Sequence, residues 1–174
     1  MADTLIMIRP ISVLILAAIA AAAQTPAPII TESKQTYTGV KNNLTKLAEK
    51  MPEENYGFKP VAEIRSFGQL MAHMADSQLR VCSAVNGEMK QGTAASKTSK
   101  ADIVAALKDS FAECDRAWDA TTDANMMQMV KFRNGERTRL GILTYNTGHE
   151  MEEYGYGAVY LRLKGIVPPS SEGR

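Results

Sequence analysis

The stretch TRLGILTYNTGHEMEEYGYGAVYLRLK, residues 138–164, decides how the chain is read. Thr138 is a good N-cap, no proline interrupts the 26 residues that follow, and Gly165 then Pro168-Pro169 close the segment. These signals predict one long helix from Thr138 to Lys164. At 100° per residue, Ile142, Tyr145, His149, Tyr156 and Tyr160 share one side, with Glu153 close to it. Leu140, Leu143, Met151, Ala158 and Leu161 occupy the opposite side, with Tyr154. A helix apolar or aromatic on two sides is wanted twice, once by a core and once by a cavity or a partner.

Working back from that helix, three more segments repeat apolar residues at three-four spacing. Tyr37, Val40, Leu44, Leu47 and Met51 mark a first helix from about Thr31 to Lys50, ended by Pro52. Phe67, Leu70, Met71, Met74, Val81 and Val85 mark a second, opened by Ser66 and closed at Asn86-Gly87. Val104, Leu107, Phe111, Cys114 and Trp118 form a heptad seam behind the near capping box Ser99-Lys-Ala-Asp102. Thr121–Arg137, with Asn134-Gly135 as a turn, reads as a short strand-like or helical excursion over the bundle. The expected fold class is all-α, a four-helix bundle of about 30 Å length occupying residues 31–170.

The N-terminus has another character. Ile11–Ala23 is apolar apart from Ser12, and Ala21-Ala-Ala23 supplies small residues ahead of Gln24. A run of about 13 apolar residues is short for a bilayer span and suits a signal peptide. Residues 1–23 are therefore expected to direct export to the periplasm or beyond, with translation starting at Met1 or Met7. Contact with a membrane is expected only if this segment is retained. Residues 24–30, with Pro26 and Pro28, read as a linker. In an oxidising compartment Cys82 and Cys114 could pair, but each lies in an apolar stripe, and buried free thiols are the expectation.

Composition excludes more than it assigns. With 20 Lys+Arg against 19 Asp+Glu, the net charge of +1 gives no basic face for nucleic acid and no acidic tail. The ten methionines read as adaptable core filler. No Gly-rich phosphate loop, Cys-x-x-Cys or Gly-x-Ser-x-Gly occurs. What remains is the pair of histidines. His149 and Glu153 are four apart on one helix face, and His73 lies midway along the second helix. Two imidazoles and a carboxylate would make a three-ligand metal site with open positions. The same spacing also suits a solvated helix face, and the cluster Glu150, Glu152, Glu153 would then be answered by Arg162 and Lys164. Asp76, one turn after His73, reads either as a carboxylate orienting a ligand or as a surface residue.

Two of these segments carry a resemblance. His149-Glu-Met-Glu-Glu-Tyr-Gly155, leading into Val159-Tyr-Leu-Arg-Leu-Lys-Gly-Ile-Val-Pro-Pro169, resembles the C-terminal helix of the DinB / YfiT-like metal-dependent superfamily. Phe67-Gly-Gln-Leu-Met-Ala-His73-Met-Ala-Asp76 resembles its first ligand helix. The resemblance implies a four-helix bundle, often a homodimer, holding a divalent ion (Zn, Ni, Fe or Mn) with three histidines. His73 and His149 match two of them, and Glu153 stands where the third is expected. It further implies a thiol S-transferase or a metal-dependent hydrolase acting on a small electrophilic substrate, with Tyr145, Tyr156 and Tyr160 lining the pocket. The alternative is a non-catalytic dimeric module in which Glu153 marks a decayed site.

Overall fold

The computed structural model describes residues 28–173. Four helices form in the order read from the apolar spacing: α1 (Pro28–Lys50), α2 (Phe67–Val85), α3 (Lys100–Asp119) and α4 (Arg139–Leu163). Capping chemistry places their ends. Ser66 accepts from the Gln69 N–H while the Gln69 side chain accepts from the Ser66 N–H, a reciprocal box that starts α2. Ser99 and Thr138 cap α3 and α4 by accepting from the Asp102 and Gly141 N–H groups. Gly165, at φ 71°, takes the left-handed conformation that ends α4. No helix among the described residues is long and apolar enough to cross a membrane.

The linker ends before residue 30, because α1 begins at Pro28. Proline is tolerated in the first turn of a helix, where its missing N–H has no partner to lose. The signal segment and residues 24–27 lie outside the described residues. The open reading of Thr121–Arg137 resolves as an antiparallel hairpin, β1 (Met129–Phe132) paired with β2 (Gly135–Thr138), Phe132 opposite Gly135. Arg133 carries the turn at φ 53°.

The core lies between the helices, built on Leu44, Leu47, Phe67, Met71, Leu107, Phe111, Trp118, Ile142 and Leu143, all essentially without exposure. Gly157 lets α4 approach α1, since a Cβ there would sit 2.8 Å from Leu47 Cδ2. Arg139, at the start of α4, is buried and missed by the sequence reading. Its guanidinium donates to Thr121 Oγ1 (2.8 Å) and to the Val85 carbonyl (3.0 Å), so a cation meets the C-terminal end of α2. Cys82 and Cys114 are not free thiols: a disulfide joins α2 to α3 inside the core, across a Cα–Cα distance of 4.9 Å. Their apolar surroundings, read as marking unpaired thiols, are those of a buried cross-link.

Candidate metal centre

His73 from α2 and His149 and Glu153 from α4 meet at one point. One donor atom from each lies within 4.8 Å of the other two. His73 Nε2 is 3.6 Å and His149 Nε2 3.4 Å from the same oxygen, Glu153 Oε1. The imidazole rings stand 5.5 Å apart at 75°. Direct N–H···O bonds would be about 2.7–3.2 Å. Ligands held about 2.1 Å from one cation in tetrahedral directions stand roughly 3.4 Å apart, close to the two nitrogen-to-oxygen distances here.

Burial and charge fit the same reading. Glu153 is buried, and its second oxygen, Oε2, has no hydrogen-bond partner among the described residues. An orphaned buried carboxylate oxygen is costly unless something positive sits beside it. Burial alone would raise the Glu153 pKa, but contact with His149 and the charges of His149, His73 and Arg65 leave it below the ordinary value. Burial, followed by the nearby Arg65, lowers the His73 pKa and favours the neutral imidazole that a metal requires. The donor set therefore fits a divalent cation: two imidazole nitrogens and one carboxylate oxygen.

Around this point the other candidate residues divide. Tyr160 and Tyr156 line a cavity of about 650 Å³ that reaches Glu153, with Pro60, Ile64, Arg65 and Val159 also on its wall. The Tyr160 hydroxyl donates to the Arg65 carbonyl at 2.6 Å, and Tyr156 donates to Glu152 at 3.0 Å. Tyr145 is not on that wall. Its ring packs on Phe132 of the hairpin, 5.9 Å between centroids, and its hydroxyl accepts from Arg133 at 2.7 Å. Asp76 uses both oxygens on the Ala94 and Ala95 N–H groups (2.8 and 3.0 Å), which ties down the α2–α3 connection instead of orienting an imidazole.

The solvated acidic cluster is also corrected. Only Glu152 is exposed; Glu150 has no exposure at all. Arg162 donates to Ser171 and Lys164 lies over the Phe58 ring, so neither answers these carboxylates. Glu150 accepts from the Asn146 amide at 2.6 Å, with the Gln78 side-chain amide beside it. Burial raises its pKa to about 8, so it is held as the neutral acid at pH 7. Asn146 Nδ2 also lies 3.8 Å from both disulfide sulfurs, joining Glu150 to the cross-link.

Arg65 was missed as well. The signal was available: a cation directly before the Ser66 cap sits at the positive end of a helix dipole, where it costs stability unless wanted for another purpose.

Comparison with known proteins agrees with this architecture. A model of the DinB superfamily matches residues 36–156. A DinB-like protein from Bacillus cereus superposes with a TM-score of 0.70 at 16% identity, covering 80% of this chain and 95% of that one. A DinB-like protein from Bacillus subtilis gives 0.64 at 18%, covering 78% and 94%. The mycothiol-dependent maleylpyruvate isomerase gives 0.57 at 15%, covering 76% of this chain and 60% of that one. No curated protein sequence matches.

Proposed function

The chain belongs to the DinB superfamily, and we propose that it is an exported, metal-dependent member whose divalent ion is held by His73, His149 and Glu153. Its activity would be that of a hydrolase or thiol S-transferase acting on a small electrophile. The carrying observation is the convergence of two imidazole nitrogens on one oxygen of a buried carboxylate whose other oxygen has no partner. A divalent cation supplies a lowered pKa to a bound thiol or water, making a nucleophile at neutral pH.

This chain's residues would do the rest. Glu153, buried beside the two imidazole rings, would supply the site's negative charge. His73 and His149, half-buried, leave a side open to solvent. The cavity below, walled by Tyr160, Tyr156 and Val159, would hold the electrophile against that open side and exclude water from its apolar part. The thiol-dependent isomerase of like fold supports a thiol as nucleophile. Export, supported by the N-terminal apolar run and by a buried disulfide, would favour water in its place.

Cobalt substitution tests the reading. Co²⁺-loaded protein should show a visible spectrum that changes when 2-mercaptoethanol is added, with a new thiolate-to-cobalt band. A spectrum indifferent to thiol and to azide would mean a closed, structural ion and would end the enzymatic reading.

One observation favours a second feature, a homodimer. Met151 and Leu163 lie exposed at a multiple of four residues along α4, off the wall of the cavity. Such exposed apolar side chains suit packing against a second copy. Sedimentation equilibrium tests it: a dimer is expected, and a monomer at 100 µM would contradict it.

A further inference from the structure

Two depressions flank the histidine–glutamate cluster, and Arg65 borders both. The cavity of about 650 Å³ is walled mainly by carbon: Pro60, Ile64, Leu70, Val159 and the two tyrosine rings. The second, of about 380 Å³, holds His73 together with Arg65, Arg80 and Lys97. None of these three cations has a side-chain ion pair or hydrogen bond among the described residues. Of the carboxylates nearby, Asp76 is engaged by the Ala94 and Ala95 N–H groups, and Glu153 lies against the imidazoles while also feeling the Arg65 charge. Glu63 shares the cavity wall with Arg65, and Asp102 and Asp109 share a further depression with Lys97, but among the described residues none of these three carboxylates forms an ion pair with the cations.

Arg65 is also held in place. Its carbonyl accepts from Tyr160, and the next residue, Ser66, is locked in the capping box. The backbone that carries this guanidinium is therefore rigid, while its side chain is exposed to whatever enters. A planar fork of donors on a fixed base, at the seam between an apolar slot and a cation-lined one, is the arrangement that recognises a carboxylate with an apolar body.

We infer that the site takes a small amphiphilic carboxylate, its anionic group on Arg65 and its apolar part in the slot between Ile64, Leu70, Tyr156 and Val159. This rests on the reading of the metal centre for where the reaction occurs, and adds the class of molecule that reaches it. Arg80 and Lys97 supply long-range attraction to the mouth, so association weakens with salt.

Calorimetric titration with 4-phenylbutanoate and its neutral isostere 4-phenylbutanamide tests the inference, on metal-loaded and on chelator-stripped protein. The carboxylate should bind about tenfold or more tightly than the amide in both forms, because Arg65 is not among the metal's ligands. Arg65→Gln should reduce that ratio to about twofold or less while leaving the amide unchanged. Val159→Asp should weaken both probes. Equal affinities in the wild type, a ratio that survives Arg65→Gln, or no binding of either probe at millimolar concentration would overturn the inference. A carboxylate preference in a protein that binds no metal would leave the inference standing and sink the metal-centre reading. Bound metal without the preference would do the reverse.

Discussion

Reducing the buried cross-link between α2 and α3 should cost this protein a large share of its stability. Cys82 and Cys114 close a loop of 32 residues. Restricting the unfolded chain by a loop of that size is worth about 3.7 kcal/mol in the chain-entropy account. A domain of this length is stable by about 5–15 kcal/mol in all, so the reduced form remains folded but markedly weakened. The melting temperature should drop by roughly 8–15 °C. Urea unfolding of metal-free protein with and without dithiothreitol gives the comparison cleanly, because the two forms differ only in the cross-link. Trp118 is the one tryptophan and is buried, so its fluorescence reports the transition. The midpoint should shift by about 2 M urea. Thiol titration of the unfolded, unreduced chain should find none of the two cysteines free. Coincident curves, or two reactive thiols without reductant, would refute the reasoning.

Other features give further expectations. Burial works against Glu113, but donors from Asn86, Arg116 and Lys90 hold its pKa down at about 2. A depressed carboxylate stabilises above its unfolded pKa and loses that contribution as pH falls through the folded one, so the loss should fall between about pH 4.5 and 2. Because Lys90 and Arg116 are solvent-exposed, the effect is about 1–2 kcal/mol, and acid titration of Glu113→Gln should lack that slope. Gly92 leaves no room for a side chain: a Cβ there would overlap the Asp76 carboxylate and lie 2.8 Å from its Cα. Gly92→Ala should therefore cost about 2–3 kcal/mol by thermal melting. Adding Asp76→Ala should cost little more, since both changes remove the same contacts.

The helix ends were legible because each is a local event. Ser66, Ser99, Thr138 and Gly165 satisfy or terminate backbone groups within a few residues of themselves, and apolar spacing supplied the faces. The start of α1 was hidden because Pro28 reads equally as linker or first turn. That His73, His149 and Glu153 would come together was legible from His149-x₃-Glu153 and the resemblance together, since spacing alone suits a solvated face too. Glu150 was misread for a physical reason. Since α4 packs on both α1 and α2, much of its circumference is buried, and a charge symbol in such a helix does not imply solvent. The disulfide was illegible because 32 residues of separation say nothing about a 4.9 Å approach between two helices. For Arg65 the sequence offered only a cation ahead of the Ser66 cap, and the cavity gives that position its meaning.

The most direct test is metal content. Untagged protein incubated with Zn²⁺, desalted and analysed by mass spectrometry of the ion should carry one equivalent per chain. His149→Ala and Glu153→Ala should each lose it while keeping the wild-type helical circular dichroism, and Glu153→His should retain it. Wild type free of metal, with a melting temperature unmoved by chelator, would contradict the account, as would variants that still hold a full equivalent.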